Sequence, residues 1–285
     1  MSRFAFQPLP ERPFVSVLMT SYNYDKFVGD AIRSVYAQTY RSMELVIVDD
    51  GSTDASPKII EKVTKDALIP TEFIAKKNGG QASAWNLAFP KLRGELVCLL
   101  DSDDSWRPEK VERMVQLARR HPDAGLYQHQ MDNGMGKLKQ PKLLAHRDIL
   151  RDWVALGEVD VLKRHDLVAI FLPSSGLMAR REVLEKVFPM PERLITCPDA
   201  YLTRSCCIFG PLQSHREVLA SWMDHGNNAG KASKYSFERY WLPVVMPAIN
   251  ESFEKHGVPV RFVCPPRRPS LRQWLGGLKK RLTPK

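Results

Sequence analysis

Three carboxylates follow a run of apolar residues within residues 95–104. Residues 96–100 are continuously apolar, and Asp101, Asp103 and Asp104 come directly after them. Such a run is typical of a parallel strand buried on both faces, and ligands of open α/β sheets bind beyond the carboxyl ends of their strands. Crowded carboxylates repel one another unless a cation compensates their charge. Because Mg²⁺ and Mn²⁺ prefer oxygen ligands, often with substrate phosphates, the stretch predicts a metal–diphosphate site.

The same acids have a simpler interpretation. Loops after strands are rich in Asp that forms turns and caps helices. Asp103 or Asp104 could cap a helix that begins near Pro108, because Pro is favoured in the first helical turn. The isolated Asp-x-Asp pattern does not separate a metal ligand from a helix cap. Its interpretation depends on the elements that bring other polar residues to the same place.

Strand and helix patterns alternate through the first half of the chain. Continuous apolar runs predict strands, and apolar residues three and four apart predict helices. We expect strands at 15–20, 44–50, 71–77 and 95–100, and helices at 27–36, 57–68, 82–88 and 108–120. This alternation predicts an α/β fold with a mainly parallel sheet covered by helices. Right-handed crossovers would then bring the polar clusters at 20–22, 49–50 and 101–104 to one rim.

The second half has a less regular pattern. Its Pro residues at 243 and 247 could interrupt a last long helix. We expect helical or mixed segments at 145–156 and 163–171, a short strand and helix at 174–188, a helix at 198–209, a strand at 216–223 and a long helix at 233–256.

The charge of the chain indicates anionic partners and is concentrated at one end. The formal net charge is +10 over 285 residues. This excess suits a nucleotide, a nucleic acid or a lipid surface. Residues 261–285 contain eight basic residues and no acid, so the excess does not require a core that binds nucleic acid, and we expect no nucleic-acid partner.

Composition narrows the class of protein further. No stretch of 18 apolar residues predicts a transmembrane helix, and the first residues do not resemble a signal peptide. The five cysteines form no CxxC pair, which favours reduced thiols in the cytoplasm over a disulfide framework or structural zinc.

Four strings stand in order in the first half: VSVLMTSYNY, VDDGSTD, NGGQASAWN and DSDD. With them the chain resembles the family 2 inverting glycosyltransferases of the GT-A fold, over roughly residues 15–229. The resemblance implies transfer of a sugar from a nucleotide-diphosphate donor, expected to be UDP-linked, to a hydroxyl of a glycan or lipid-linked acceptor in cell-surface polysaccharide biosynthesis. It also implies Mn²⁺ or Mg²⁺ as cofactor, which neutralises the leaving diphosphate.

The resemblance also implies an organisation along the chain. A nucleotide-sugar-binding α/β half at 14–130 would follow an N-terminal extension at 1–13. A less regular acceptor-binding half at 131–256 and a basic tail at 257–285 would complete the chain.

Most of the implied site residues bind the donor. Asp50 can accept hydrogen bonds from a uracil-like base, Tyr22 can offer its ring to that base, and Asp101 would bond the ribose or sugar. The segment 78–86 would bring a helix N-terminus near the negative donor. The eight implied donor-binding residues are Thr20, Tyr22, Asp50, Asn78, Gly80, Asn86, Asp101 and Ser102.

The remaining implied residues act on the metal and the acceptor. Asp103 would bind the metal, and His225 in SWMDHGNNAG would contact the diphosphate or the metal. Asp199 in CPDAYLTR matches the catalytic base, which removes the proton of the acceptor hydroxyl. Simpler interpretations are a turn cap for Asp50, a buried strand-end ring for Tyr22 and a helix N-cap for Asp199.

The sequence departs from the family pattern at three positions. Trp85 and Met223 stand where Arg is usual, and Pro198 stands where Glu is usual. Two rival functions therefore stay open. A nucleotidyltransferase would carry a Gly-rich, basic phosphate loop, whereas the first loop here is TSYNYDKF. A non-catalytic sugar-nucleotide-binding protein is the second rival.

The tail has helical spacing of apolar residues. Basic residues occupy the positions between Leu271, Trp274, Leu275, Leu278 and Leu282. Such a basic amphipathic helix suits an anionic membrane surface, so we expect a cytoplasmic protein that is peripheral on the inner face of the membrane. The alternative is a terminal helix that docks on the domain through its Leu face.

Overall fold

The central element is a mixed sheet of nine strands. The computed structural model describes residues 5–138, 146–163, 171–223, 225 and 235–265. The strands of the described residues are β1 Val15–Ser21, β2 Met43–Asp49, β3 Thr71–Ala75, β4 Leu96–Asp101, β5 Ser105–Trp106, β6 Leu126–Asp132, β7 His146–Arg147, β8 Glu158–Asp160, β9 Leu177–Arg180, β10 Leu212–Ser221 and β11 Arg261–Val263.

Helices cover this sheet and fill the connections. A π-helix at Phe237–Val245 and short 3₁₀ turns at Phe89–Lys91 and Ser174–Gly176 accompany the α-helices. The α-helices of the described residues are α1 Val28–Tyr36, α2 Ser56–Thr64, α3 Gln81–Ala88, α4 Lys110–Arg120, α5 Ile149–Leu156, α6 Arg181–Val187, α7 Pro198–Cys206 and α8 Met246–Lys255.

The order of the strands separates a parallel part from a mixed part. The order is β3-β2-β1-β4-β9-β6-β10-β5, and β7 also pairs with β10. Strands β3, β2, β1 and β4 are parallel, whereas β9 is antiparallel to both of its neighbours. Strands β6 and β10 are parallel, and β8 pairs with β11 in a separate small sheet. The predicted mainly parallel sheet covered by helices is confirmed.

Alternation along the strands builds a core on each face of the sheet. Leu18 belongs to one buried cluster, which includes Trp85 and Trp153. Val17 and Met19 belong to a second cluster. Because successive strand residues point to opposite faces, strands that are buried throughout carry apolar side chains into both clusters.

One central strand was not predicted from the sequence. Strand β6 is buried along its whole length although three polar residues, Gln128, His129 and Gln130, lie inside it. The Gln128 amide donates to Ser214 Oγ at 3.0 Å and accepts from the Leu172 amide at 3.0 Å. Tertiary partners therefore make the buried Gln128 amide compatible with the core. Strand β10 also begins at Leu212, four residues before the predicted start.

The predicted last helix is divided as its prolines suggested. Pro243 lies inside the π-helix, and Pro247 lies in the first turn of α8. Proline lacks the amide hydrogen that a regular α-helix needs at an interior position, so the division has a local cause.

Some predictions fall outside the described residues. The C-terminal amphipathic helix lies there, as does most of the segment 163–171. No helix of the described ranges has both the length and the apolar character to span a membrane.

Candidate active site

Three parallel strands end side by side at the candidate site. Thr20 at the end of β1 pairs in register with Asp101 of β4 and with Val48 of β2. The Asp50 amide donates to the Ser21 carbonyl at 2.8 Å. The predicted meeting of the clusters at 20–22, 49–50 and 101–104 is therefore observed.

Gln81 links two of these strand ends. Its Nε2 donates to Asp101 Oδ1 at 2.9 Å and approaches Thr20 Oγ1 at 3.4 Å. No sequence motif had indicated Gln81 as a site residue. The available signal was its place at the start of the helix in NGGQASAWN, directly after Gly80.

The Asp50 carboxylate organises the loop before α3. Its Oδ1 accepts from Lys76 Nζ at 2.6 Å and from the Gly79 amide at 3.0 Å, and its Oδ2 accepts from the Gly80 amide at 2.7 Å. Asn78 Nδ2 donates to the Asp50 carbonyl at 2.9 Å. These donors lie across the loop that leads to α3, so the simpler interpretation of Asp50 as a local turn cap is wrong.

Asp49 caps that turn instead. The Ser52 amide donates to Asp49 Oδ1 at 2.8 Å, and the Ser52 hydroxyl donates to Asp49 Oδ2 at 2.5 Å. Neighbouring aspartates of one string therefore have different structural tasks.

The first amides of α3 have partners within the protein. The Gln81 amide donates to the Ile195 carbonyl at 2.8 Å, and the Ala82 amide donates to the Leu194 carbonyl at 3.3 Å. Gly80 has φ +91°, and a Cβ there would lie 2.7 Å from Ile195 Cα, so this approach requires glycine. These two amides are therefore not available to the donor, and the expectation that this helix N-terminus lies near the donor stays a prediction.

Asn86 makes a second contact between α3 and the segment before α7. Its Nδ2 donates to the Met190 carbonyl at 2.8 Å, and its Oδ1 accepts from the Met190 amide at 2.7 Å. Each polar atom of this amide thus has a backbone partner away from the strand ends. The geometry favours a structural task for Asn86 over the predicted donor contact.

The carboxylates at the end of β4 are crowded and buried. Burial, together with the nearby charges of Asp104, Asp103 and Asp199, raises the pKa of Asp101 well above its usual range. The Ser102 hydroxyl between Asp101 and Asp103 is buried and has no hydrogen-bond partner among the described residues. Excess negative charge beside an unsatisfied hydroxyl is the environment expected where a ligand or cation binds.

His225 reaches this cluster from the segment after β10. Its Nε2 lies 3.1 Å from Asp103 Oδ2. The imidazole stacks on Phe27 with ring centroids 4.5 Å apart and meets Tyr24 edge-on. Two residues 122 positions apart in the chain are thus brought together, with the histidine ring fixed by aromatic contacts.

The helix-cap interpretation of Asp103 and Asp104 is wrong. Helix α4 begins at Lys110, and Glu109 occupies its N-cap position. Asp104 Oδ1 instead accepts from the Met223 amide at 3.2 Å. Both acids therefore hold the segment after β10 rather than the first turn of α4.

The donor set at Asp103 and His225 fits a hard divalent cation. A carboxylate oxygen and an imidazole nitrogen lie side by side, beside carboxylates whose charge needs compensation. No group of three His, Cys, Asp or Glu side chains among the described residues could hold a metal ion by itself. Mg²⁺ commonly takes only one or two carboxylates from the protein and further oxygens from substrate phosphates.

Asp199 lies in the first turn of α7, near Asp101. Cys197 occupies the N-cap position in the left-handed region, with φ 51° and ψ 42°. Asp199 is therefore not the N-cap of its helix, and that simpler interpretation is wrong. A non-glycine residue in this conformation is strained, and such strain is concentrated at functional sites. The Asp199 charge is close enough to help raise the pKa of Asp101.

Cys197 also lies close to these two acids. Burial raises the pKa of its thiol to about 12, and the charges of Asp199 and Asp101 add to the effect. The thiol is therefore protonated at neutral pH and is not a nucleophile there.

A buried arginine accompanies Asp199 on α7. The Arg204 guanidinium lies 4.9 Å from the Phe171 ring centroid and 5.9 Å from that of Trp241. Burial lowers the pKa of Arg204 to about 10, and the Asp199 charge opposes this shift. The guanidinium of Arg204 therefore lies near the predicted base, and no sequence pattern had predicted this.

The exposed residues of the site include Tyr22. Its side chain is 47% exposed, so the interpretation as a buried strand-end ring is wrong and the ring is open to a ligand. Trp85, in the position where the family pattern has Arg, is 1% exposed and packs in the core. Met223, at the other such position, is 42% exposed.

Comparison with known sequences identifies relatives of the chain. The family model described as Glycosyl transferase family 2 matches residues 16–188, which is more than half of the chain. An uncharacterized glycosyltransferase of a Nostoc species is 34% identical over 216 residues, which are 75% of this chain and 66% of that relative. The chain thus spans slightly less than two thirds of that relative's length.

Solved structures share the fold. S. aureus TarS 1-349 in complex with UDP-GlcNAc has a TM-score of 0.65 at 20% identity, over 84% of this chain and 66% of that one. The mannosyltransferase PcManGT from Pyrobaculum calidifontis, in complex with GDP-Man and Mn²⁺, has a TM-score of 0.58 at 17% identity, over 98% of this chain and 84% of that one. The carboxylate-rich rim of the sheet, the four ordered strings and these matches lead to one conclusion: the chain belongs to glycosyl transferase family 2.

Proposed function

We propose that this protein is an inverting, metal-dependent glycosyltransferase. It moves a sugar from a nucleotide-diphosphate donor, a UDP-sugar, to a hydroxyl of a glycan or lipid-linked acceptor in cell-surface polysaccharide biosynthesis. The observation that carries the proposal is the gathering of acids from distant parts of the chain. The pKa of Asp101 is raised by burial and by the nearby charges of Asp104, Asp103 and Asp199. Asp199 lies 98 residues after Asp101 in the chain.

The donor side of the reaction is assigned to the strand ends. Tyr22 offers an exposed ring to the base, and Asp50 and Asp101 lie at the ends of β2 and β4. Asp103 and His225 would hold Mn²⁺ or Mg²⁺. When bound, this cation compensates the negative charge that develops on the leaving diphosphate.

The acceptor side of the reaction is assigned to Asp199. Inversion requires that the acceptor oxygen attack the anomeric carbon from the side opposite the leaving group. A base must accept the proton of that hydroxyl during the attack. A carboxylate in the first turn of α7, close to the β4 acids, suits this task. The buried Arg204 guanidinium lies close enough to Asp199 for the charge of that carboxylate to act on it.

The identity of the donor is drawn from relatives. The TarS structure contains UDP-GlcNAc, which supports a UDP-sugar, whereas the PcManGT structure contains GDP-Man and Mn²⁺. The latter supports the cation and makes GDP-sugars a necessary comparison. The acceptor class and the peripheral, cytoplasmic membrane location are proposed from the sequence alone, from the family resemblance and from the basic tail at 257–285.

One experiment separates the proposal from its rivals. The full chain is assayed with a panel of UDP- and GDP-sugars, with Mn²⁺ or with EDTA, while calorimetry measures nucleotide binding. Asp199→Asn should lower transfer by about 10³-fold or more and leave donor binding largely unchanged, because it removes only the base. Asp103→Asn should abolish the Mn²⁺ dependence together with turnover.

A control variant and three other outcomes show how the proposal could fail. Glu192→Gln removes one exposed carboxylate from the segment before α7 and should leave transfer unchanged. Normal transfer by Asp199→Asn would refute its role as base. Nucleotide binding without turnover by the wild-type chain would support the non-catalytic rival, and attack at phosphorus with release of a nucleotidyl product would support a nucleotidyltransferase.

The membrane proposal has its own test. Liposome flotation would compare the full chain with a variant in which Lys279, Lys280 and Arg281 are replaced by Gln, on vesicles with and without anionic lipid. Equal flotation of both proteins would remove the proposed membrane partner.

A further inference from the structure

We propose that Gln81 is a positioning residue for sugar transfer, because it fixes the donor-side carboxylate of Asp101 and couples it to the segment that leads to the base. This inference rests on the proposed function and adds to it a residue that is neither a metal ligand nor a base. Three hydrogen bonds of Gln81 carry it, two from the side chain and one from the backbone.

The side chain holds the donor rim. Its amide group has two N–H donors, and two oxygens from different strands receive them: Asp101 Oδ1 at 2.9 Å and Thr20 Oγ1 at 3.4 Å. A neutral amide donates without changing the charge of the acidic cluster. It therefore orients Asp101 without competing with a cation for the carboxylates.

The backbone of the same residue holds the base side. The Gln81 amide donates to the Ile195 carbonyl at 2.8 Å, and Ile195 stands four residues before Asp199. The left-handed Gly80 allows this approach, since a side chain there would meet the backbone of Ile195. One residue thus contacts the donor rim through its side chain and the base segment through its backbone.

The consequence is a fixed separation between two functional carboxylates. Attack on the anomeric carbon needs the donor and the acceptor in a narrow range of geometry, and a misplacement of about 1 Å can cost 10²-fold in rate. Loss of the Gln81 amide should therefore lower kcat more than it weakens nucleotide binding, because Tyr22, Asp50 and Asp103 remain in place.

The test compares three replacements of Gln81 in the full chain. Gln81→Met keeps the approximate volume and removes both side-chain bonds. Gln81→Glu removes the donors and adds a like charge beside Asp101, and Gln81→Lys keeps a donor that reaches Asp101. Measurements are kcat and KM for the donor, UDP affinity with Mn²⁺ by calorimetry, and thermal unfolding. Gln116→Met, on the exposed face of α4, is the matched control.

We expect Gln81→Met and Gln81→Glu to lower kcat by about 10- to 100-fold with less than about 3-fold change in UDP affinity. Gln81→Lys should recover part of the loss seen in Gln81→Met when Mn²⁺ is saturating, since it restores an N–H donor to Asp101 although it adds a positive charge. The Gln116→Met control should match the wild type.

Each other outcome overturns a defined claim. Wild-type kcat in Gln81→Met refutes the positioning role. Equal losses in Gln81→Met and Gln81→Lys, together with a lowered unfolding temperature, assign Gln81 a structural role and also refute the proposal. A wild-type chain that turns over no nucleotide sugar overturns the proposed function, and this inference with it.

Discussion

The two sides of the candidate site are built by different means. On the donor side, Thr20, Asp50 and Asp101 come from the ends of adjacent parallel strands, where the sheet itself sets their spacing. On the base side, Asp199 lies on α7 after a left-handed Cys197, in a segment that no strand of the main sheet carries to the rim. Contacts from α3 to Met190, Leu194 and Ile195 hold that segment.

This difference teaches where each side is vulnerable. Donor-side residues are held by backbone pairing along whole strands. Replacing a single side chain there should therefore affect only the contacts of that side chain. Base-side geometry depends on a few hydrogen bonds between segments about 100 residues apart, such as the one between Asn86 and Met190. Mutations of residues that form these hydrogen bonds should therefore change activity although the residues do not contact a ligand.

The largest effect that we expect on the donor side is that of Asp50→Asn. The variant removes the charge that faces Lys76 and turns an N–H group toward donors, so the free energy of unfolding should fall by about 3 kcal/mol. Urea unfolding measures this loss, and calorimetry should show weaker UDP binding. Asp66→Asn, at an exposed position after α2, is the control and should change neither quantity. If Asp50→Asn is as stable as the wild type, the hydrogen bonds to the Asp50 carboxylate do not stabilise the donor side.

Two asparagines with the same bonding pattern test whether the contact between α3 and Met190 positions the base. Asn86 bonds both backbone groups of Met190, and Asn250 bonds both backbone groups of Phe262 in the same manner, without contacting the base segment. Asn86→Ala and Asn250→Ala should each lower the free energy of unfolding by about 2 kcal/mol, because each leaves two backbone groups without partners. Only Asn86→Ala should also lower kcat, by several-fold, since of the two asparagines only Asn86 bonds to the base segment.

Thermal or urea unfolding and transfer kinetics measured on the same preparations check this pair. Equal kcat values in the two variants would contradict the idea that the contact between α3 and Met190 positions the base.

The smallest expected effect concerns the strained residue before α7. Cys197→Gly removes the steric cost of a left-handed side chain but adds freedom to the unfolded chain, so the free energy of unfolding should change by no more than about 1 kcal/mol. Cys197→Val places a β-branched residue in the same conformation and should be less stable than Cys197→Gly. Differential scanning calorimetry distinguishes the two. Transfer by Cys197→Gly should stay within a few-fold of the wild type, because the protonated thiol has no chemical task.

Much of the donor side could be predicted from the sequence. The apolar runs of β1, β2 and β4 are continuous, and each ends in a polar cluster, so topology rules alone bring Thr20, Asp50 and Asp101 together. Tyr22, whose ring is exposed, and the pairing of Asp103 with His225 agree with the placement expected from the resemblance, while their roles remain predictions.

The base side and the mixed part of the sheet could be predicted less well. Strand β6 carries Gln128, His129 and Gln130 in the core, and no local pattern indicates that Ser214 and the Leu172 amide would bond to Gln128. The partners of Gln81, of Asn86 and of the first amides of α3 could not be predicted either. A hydrogen bond to a group that is distant in the chain produces no pattern in the spacing of residues.

The sequence by itself determined the α/β character, the parallel strands and the identity of the acids at their ends, because local apolar patterns and turn chemistry act over a few residues. Only the tertiary structure decided which groups face those acids. In the structure, Asp50 bonds to the loop before α3, Asn86 to the Met190 backbone and Gln81 to Asp101. Each of these depends on how two segments approach in space, and that approach is set by packing of the whole core rather than by any one stretch of residues.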